Sequence, residues 1–345
     1  MLAPEVDRFI RLVPKVELHV HIEGTLEPEH AFALAARHGR PPPAPSIEAL
    51  RAAYAFTDLQ SFLDLYYAGC AVLRDRADFH ALAMAYFERA HADRVVHVEL
   101  FCDPQTHTAR GVALADVIGG LTDARDEARR RLGITSELIP CFLRHLPEAD
   151  ALATLDALVP FRDAFVAVGL DSGERGNPPS KFQRVFAKAR ALGLHAVAHA
   201  GEEGPAEYIR EALDLLGAER IDHGVRCDED PGLVAELARR AIPLTVCPLS
   251  NLKLCVVPDL RAHNFARLLR AGVRVTIHSD DPAYFGGYIA DNYRRLADAL
   301  GLTVADLAQC ATNAVDAAFI AEDRKHVVRG EIEALARSNT PYVLS

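Results

Sequence analysis

The sequence lacks the features that mark membrane and secreted proteins. No run of apolar residues reaches the ~18 that a transmembrane helix needs, so a membrane span is not expected. The N-terminal segment, MLAPEVDRFIRLVPKVELHVH, has acidic residues early and no apolar core, which argues against a secretory signal. The seven cysteines are scattered and form no CxxC pair, which argues against a disulfide framework. These absences predict a cytoplasmic protein with reduced thiols.

An excess of positive charge is missing as well. The formal net charge is −10, and no basic stripe runs along any part of the chain. Duplex nucleic acid and membranes are therefore not expected as partners, whereas a small-molecule ligand is. The sequence leaves open whether the chain forms a homo-oligomer.

The composition is that of an ordinary globular protein. Hydrophobic residues make up 50% of the chain and charged residues 25%. A chain of this composition buries enough apolar surface to offset the entropy of ordering, which excludes disorder as the main state. The length of 345 residues fits either two domains of ~150 residues or one large barrel.

Short β-branched, apolar runs recur along the chain, separated by helical patterns rich in alanine and leucine. The candidate strands are residues 15–19, 95–101, 134–142, 165–170, 194–199, 220–223, 242–247 and 273–278. Their alternation with helices predicts an α/β protein with a TIM (β/α)8 barrel fold. The runs are almost continuously apolar, as expected of strands that are covered on both faces.

Two segments exceed the minimal barrel. Residues 24–93 are predicted to form a helical insertion after the first strand, and residues 285–345 a helical tail. No linker or repeat separates them from the barrel, so we expect a single domain over residues 1–345. Within the insertion, Leu59, Phe62, Leu63 and Tyr66 follow helical spacing. A lid over a pocket and plain core packing both explain that pattern.

Ionisable residues gather where the predicted strands end. A parallel barrel brings these ends together on one rim, where catalytic groups lie. His19 and His21 are two apart on an extended segment, so both side chains face one side. With His199 and Asp280 they form a set of three nitrogens and one oxygen that suits zinc, iron or nickel. Asp280 and Asp281 together follow a buried strand, where two acids are costly without a cation.

Six motifs occur in a fixed order: PKVELHVHIEGTL, VGLDSGE, HAGE, DHG, CPLSN and HSDDP. Together they resemble the adenosine and adenine deaminase family of the amidohydrolases, over residues 15–284. The resemblance implies a TIM barrel, hydrolytic removal of the amine from purine C6, and a single zinc ion. It also implies that the metal ligands are His19, His21, His199 and Asp280.

The same resemblance assigns four further roles. Glu202 matches the acid that protonates purine N1, and His223 matches the base that takes a proton from the attacking water. Asp281 matches the carboxylate that orients this water. Gly173 matches the glycine whose backbone N–H meets purine N3.

The chemistry itself calls for such groups. Attack at C6 pushes electrons onto N1, so an acid aimed at N1 lowers the barrier, and a dry pocket keeps Glu202 protonated. The near-neutral pKa of histidine suits His223 to accept a proton. Binuclear amidohydrolases carry a lysine at the end of strand four, where this chain reads GLDSG. One zinc ion per chain is therefore expected, although the same ligands also suit iron.

The choice of purine depends on residues beside the metal motif. Adenosine deaminases have an aspartate where this chain has Glu23, and the stretches IEGTLEPE and SNLKLCVV look like the adenine deaminase branch. We therefore expect adenine to be converted to hypoxanthine, with Glu23 hydrogen-bonded to the N9–H side of the base, directly or through water. Loop solvation of Glu23 is the alternative. Ser250 and Asn251 either support the site or form a turn.

Several alternatives remain open at this stage. Adenosine, an N6-substituted adenine or another 6-aminopurine nucleoside would use the same chemistry. A silent relative that only binds a ligand is disfavoured because all the expected ligands and Glu202 are present. A metal hydrolase for amides or phosphoesters is disfavoured by the HAGE and DHG motifs and by the missing lysine.

Overall fold

The computed structural model of the protein describes residues 2–339, so positions 340–345 of the predicted tail lie outside the described residues. Eight parallel strands form its centre: β1 (Lys15–His21), β2 (Val95–Cys102), β3 (Thr135–Leu143), β4 (Ala167–Asp171), β5 (His195–Ala200), β6 (Arg220–His223), β7 (Pro243–Val246) and β8 (Arg274–Ile277). Every predicted strand is present, with ends that differ by about two residues at most.

The strands follow one another around the sheet in chain order, β1 to β8. A parallel bridge between Val20 and Asp280 closes the sheet where β8 meets β1. At this closure the backbone N–H of His21 donates to the Asp280 carbonyl, and the Asp280 N–H donates to the His19 carbonyl, both at 3.0 Å. The predicted TIM barrel is confirmed, and candidate metal ligands lie at the point where it closes.

Helices surround the barrel. Before β2 the chain forms α1 (Pro4–Leu12), α2 (Pro28–Arg37), α3 (Ile47–Ala52), α4 (Leu59–Gly69) and α5 (Arg76–Ala92). Between β2 and β8 it forms α6 (Pro104–Thr108), α7 (Leu114–Leu132), α8 (Glu148–Leu158), α9 (Gln183–Ala191), α10 (Ala206–Glu211), α11 (Pro231–Arg240), α12 (Pro248–Lys253) and α13 (Phe265–Arg270). After β8 come α14 (Pro282–Phe285), α15 (Ile289–Leu300), α16 (Val304–Ala317) and α17 (Glu322–Asn339). Among the described residues, no helix combines the length and apolar character needed to cross a membrane.

Because helices cover the outer face of the sheet, both faces of most strands are buried. A small apolar cluster fills the barrel interior: Phe101, Ile139, Cys141, Ala167 and Val197. Also inside, the Arg220 guanidinium donates to Glu99 at 2.7 Å, so these two buried charges neutralise each other. The filled interior leaves the carboxyl-end rim as the place where a ligand can enter.

The insertion between β1 and β2 places α4 over this rim. Asp58 caps the start of α4, with a reciprocal contact from Ser61 that satisfies backbone N–H groups of the first turn. The buried face of α4 packs against residues after β7 and β8 in an apolar cluster separate from the main core. This cluster contains Leu59, Phe62, Leu63, Tyr66, Leu254, Tyr284 and Phe285, among others.

Candidate active site

Four side chains from three strand ends converge at the rim. His19 and His21 come from β1, His199 from β5, and Asp280 follows β8. Nε2 of His21 lies 3.2 Å from Nε2 of His199. Oδ1 of Asp280 lies 3.3 Å from Nε2 of His19 and 3.5 Å from Nε2 of His21. All four side chains are buried, and their potential ligand atoms lie within 4.8 Å of one another.

Hydrogen bonds to the opposite ring nitrogens fix how these imidazoles point. The Thr245 hydroxyl donates to Asp222 at 2.7 Å, so Thr245 Oγ1 accepts from Nδ1 of His19 at 2.9 Å. Nδ1 of His199 donates to the Leu170 carbonyl at 3.1 Å. Each bond leaves a lone pair on Nε2, which is the arrangement that outer partners impose on metal-ligating histidines.

This cluster fits a cation. Nε2 of His19 is buried and has no hydrogen-bond partner. Nε2 of His199 directs its lone pair into the cluster, because Nδ1 of the same ring donates to the Leu170 carbonyl. Burial lowers the pKa of His21 to about 4 and that of His199 well below its usual range, so both rings are neutral. Burial by itself would raise the pKa of Asp280, but the adjacent His19 holds it well below the usual range.

Backbone strain marks the same rim. Ser172, His223 and Asp280 follow or end strands β4, β6 and β8, and all three have positive φ angles, of 74°, 63° and 64°. Residues other than glycine seldom adopt this left-handed conformation, which costs energy and persists where surrounding structure enforces it. The backbone therefore turns sharply at each of these three positions.

Glu202 lies beside the cluster in the loop after β5. Its carboxyl group is buried, Oε1 has no hydrogen-bond partner, and Oε2 lies 3.6 Å from Nε2 of His223. Burial raises the pKa of Glu202 well above its usual range, and the nearby charges of Asp280 and Glu174 add to this effect. Glu202 is thus held as a neutral acid that faces the cavity.

The loop that carries Glu202 is anchored by one side chain. The Glu174 carboxylate accepts backbone N–H groups from all four residues of segment 201–204, at 2.6 to 3.0 Å. Such multiple charge-assisted bonds fix the loop as a unit. The motif VGLDSGE contains Glu174, but nothing in the sequence connects it to a loop 27 residues or more away.

The remaining predicted catalytic residues lie on the same rim. Nδ1 of His223 is 3.4 Å from Nδ2 of Asn251, whose Oδ1 lies 3.2 Å from His263, so Asn251 contacts a candidate catalytic residue. Asp281 is buried with one unpartnered oxygen. A Cβ atom on Gly24 would fall 1.9 Å from that oxygen, so only glycine at position 24 leaves room for the Asp281 side chain. Ser250 is buried beside Asn251.

A cavity opens between α4 and the rim. Its walls include Leu59, Phe62, Leu63 and Tyr66 of α4. On the barrel side the lining residues include His21, Asp103, Asp171, His199, Glu202, His223, Asp280 and Asp281. The predicted lid residues therefore both pack in an apolar cluster and line the site. Gly173 lines an adjoining cavity at the edge of the rim rather than this one.

Contacts at both ends hold α4 in place. The Leu59 backbone N–H donates to the Glu203 carboxylate at 3.1 Å, and the Tyr67 hydroxyl donates to Ser172 at 2.8 Å. The side chain of Glu203 also lies 3.3 Å from Arg175. The covering helix is thus tied to the loops that follow β4 and β5.

Glu23 lies behind the wall of the cavity. It is fully buried, so loop solvation is wrong. Its Oε1 accepts from Nε2 of His107 at 2.6 Å and from the Asp103 backbone N–H at 3.1 Å, and its Oε2 lies 3.5 Å from the Tyr66 hydroxyl. Tyr66 and Asp103 line the cavity, whereas Glu23 does not. A contact between Glu23 and the base therefore requires an intermediary.

Asp103 and Asp171 were missed by the sequence analysis. Both are buried at the cavity wall, and one oxygen of each has no donor from the protein. Oδ2 of Asp171 lies 3.5 Å from Nδ1 of His21, so Asp171 orients a candidate ligand. Burial raises the pKa of Asp171 to about 7. Burial and the charge of Asp171 raise the pKa of Asp103 well above its usual range.

Comparisons with known proteins identify the family of this chain. The adenosine deaminase family model matches residues 14–335. A curated adenine deaminase from Cupriavidus necator is 61% identical over 324 residues, covering 94% of this chain and 92% of that protein. The crystal structure of an adenine deaminase from Arthrobacter aurescens superposes with a TM-score of 0.93 at 49% identity, covering 94% of this chain and 99% of that one.

A structure with lower sequence identity to this chain contains a metal ion. An amidohydrolase from Burkholderia ambifaria, solved with bound Zn, superposes with a TM-score of 0.90 at 29% identity, covering 98% of this chain and 96% of that one. The family match spans nearly the whole chain, and the relatives named here reach 61% identity. This chain belongs to the adenosine deaminase family, within its adenine deaminase branch.

Proposed function

We propose that this chain is a metal-dependent hydrolase that converts adenine and water to hypoxanthine and ammonia. The observation that carries the proposal is the buried, unpartnered carboxyl of Glu202, which faces the same cavity as the histidine cluster. The high identity to proteins named adenine deaminase supports adenine as the substrate. A small purine also suits a cavity that is enclosed by α4.

We further propose that one zinc ion per chain is held by His19, His21, His199 and Asp280. The converging Nε2 atoms and the low pKa of Asp280 support this ligand set. When bound, zinc supplies a Lewis acid that lowers the pKa of water toward ~7 and so makes hydroxide available at neutral pH. The same four ligands suit iron, and metal analysis distinguishes the two.

In this proposal Glu202 and His223 handle the protons. Glu202 enters the reaction protonated and donates to purine N1 as the bond between C6 and the incoming oxygen forms. His223 accepts a proton from the attacking water; burial disfavours its charged form and lowers its pKa, so the ring starts the reaction neutral. Asp281 orients this water. The backbone N–H of Gly173 meets purine N3 from the adjoining cavity, which shares Leu59 and Leu63 with this one.

His223 then passes its proton to the amine, the bond between C6 and that nitrogen breaks, and ammonia leaves. The hydroxyl proton on the new C6–O bond returns to Glu202 as C6=O forms, so both residues regain their starting states.

The remaining residues exclude water. Leu59 and Phe62 cover the purine from α4, because both line the cavity and are themselves buried. A dry site strengthens the electrostatic interactions within it and favours the protonated form of Glu202. We propose that residues 1–345 form one catalytic domain in which the insertion 24–93 provides this lid.

The test is a screen for ammonia release with purified protein on adenine, adenosine and N6-methyladenine. Adenine is expected to exceed adenosine by at least ~100-fold in kcat/KM, and a preference for adenosine would overturn the substrate assignment. Metal analysis is expected to find about one zinc per chain, and chelation should abolish activity that added zinc restores. Two equivalents of metal would overturn the mononuclear site.

A further inference from the structure

The wall of the cavity next to His21 carries an acidic group that the roles above leave unused. Asp103 begins the segment after β2, is buried, and lines the cavity together with Tyr66. The Tyr66 hydroxyl donates to its Oδ2 at 3.1 Å, while its Oδ1 receives no hydrogen bond from the protein. A buried acceptor without a donor is costly unless a ligand supplies one.

The position of Asp103 is fixed by the buried network around Glu23. The Asp103 backbone N–H donates to Glu23, which in turn accepts from His107, and Arg110 lies 2.7 Å from the other nitrogen of His107. Tyr66 contacts both carboxylates, at 3.5 Å from Glu23 and 3.1 Å from Asp103. Glu23 therefore stays behind the wall and holds Asp103 at the surface of the cavity.

Asp171 also presents an unpartnered oxygen here, but its other oxygen faces Nδ1 of His21. Its role is thus tied to the metal cluster. Asp103 forms no ion pair with His21 among the described residues, although its carboxylate lies within 4.8 Å of both His21 and Asp171. The Tyr66 hydroxyl on the lid donates to it. Both acids therefore present a free oxygen to a ligand, and Asp103 is the one whose other oxygen is held by the lid rather than facing a candidate metal ligand.

We propose that Asp103 is the residue that selects the free base, by accepting the N9–H of adenine. This inference rests on the proposed function. Free adenine carries an N–H at N9, whereas a nucleoside carries ribose at that atom and has nothing to donate. A nucleoside would leave Oδ1 of Asp103 buried without a donor. Sites that hydrogen-bond an N–H discriminate strongly against analogues that lack it.

The experiment compares adenine with 9-methyladenine on the metal-loaded wild type and on Asp103→Asn. The substitution is expected to lower kcat/KM for adenine by roughly 10- to 100-fold and to leave the low rate on 9-methyladenine unchanged or higher. Asp64→Asn, on the exposed face of α4, is the matched control and should change neither rate. Metal content should stay at the wild-type level in both variants.

An equal loss on both substrates would overturn the proposal, because a merely structural role does not distinguish them. So would a wild type that deaminates 9-methyladenine as well as adenine. Tyr66→Phe removes the hydroxyl that donates to Asp103 and should also reduce the preference for adenine over 9-methyladenine. This second variant keeps the test valid if Asp103→Asn folds poorly.

A binding measurement separates this inference from the proposed function. Calorimetry with hypoxanthine and 9-methylhypoxanthine requires no turnover. Wild type is expected to bind hypoxanthine at least ~10-fold more tightly, and Asp103→Asn is expected to lose most of that difference. Absence of ammonia release from adenine would count against the proposed function alone, whereas equal binding of the two ligands by wild type would count against Asp103.

Discussion

Two buried glutamates lie on opposite sides of the rim and differ in every contact. Glu23, after β1, has Oε1 hydrogen-bonded to His107 and to the Asp103 backbone N–H, with Oε2 near the Tyr66 hydroxyl. Glu202, after β5, has one oxygen without any partner and the other 3.6 Å from His223. The two residues have the same type and nearly the same burial.

Their pKa values move in opposite directions as a result. Burial by itself would raise the pKa of Glu23, but the hydrogen bond and charge of His107 lower it below its usual value. Burial raises the pKa of Glu202, and the negative charges nearby raise it further. Partners rather than burial therefore decide which carboxyl is an anion that holds structure and which is an acid that holds a proton.

The largest expected effect comes from removing the acid. Glu202→Gln should lower kcat on adenine by ~10²- to 10⁴-fold, because the amide cannot donate a carboxyl proton to N1. Metal content and the free energy of unfolding should not fall, since Glu202 makes no hydrogen bond through Oε1 that the amide would lose. Steady-state kinetics, metal analysis and chemical denaturation measure these three quantities.

Turnover near the wild-type rate in this variant would remove Glu202 from the acid role. Loss of metal from Glu202→Gln would also contradict the acid role, because Glu202 would then contribute to the metal site.

The next largest effect is on folding stability, through Glu23 on the side of the rim opposite Glu202. Glu23→Gln should lower the free energy of unfolding by about 2 kcal/mol, because it replaces charge-assisted bonds to His107 and Asp103 by neutral ones. Adenine turnover should fall less than in Glu202→Gln. Urea denaturation of both variants in parallel measures the contrast, and an unchanged stability would show that Glu23 is not the structural anion.

The stabilising effect of the Glu23 carboxylate should depend on pH. The pKa of Glu23 in the folded protein lies below its ordinary value of 4.5, so its stabilising contribution is present above that value. It is lost as the pH falls through the lowered folded pKa. The difference in unfolding free energy between wild type and Glu23→Gln should therefore be constant near neutral pH and shrink below about 4.5. A difference that grows on acidification would have the wrong sign.

The smallest effect is expected at the neighbour of the acid. Glu203 accepts the Leu59 N–H and faces Arg175, and it takes no part in the proton transfers proposed here. Glu203→Gln should raise KM for adenine by roughly 3- to 10-fold through a less firmly held α4 while kcat stays within about twofold. A large fall in kcat would indicate that the whole loop, rather than Glu202, carries the chemistry.

Much of the rim was predictable from the sequence because barrel topology is simple. Once eight strand and helix units are recognised, the residues that end each strand must lie on one rim, and His19, His21, His199 and Asp280 follow directly. The network around Glu23 was not predictable in this way. His107 is 84 residues from Glu23, and it follows β2 in a short helix that no pattern connects to the metal motif.

The sequence by itself determined the fold class, the set of converging ligands and the family, because periodicity and ordered motifs are local properties of the chain. The tertiary structure alone decided that Glu23 lies behind the cavity wall, that Asp103 and Asp171 line it, and that Glu174 fixes the loop of Glu202. Charge state and cavity access depend on which side chains meet across different strands, and the spacing of residues along the chain does not contain that information.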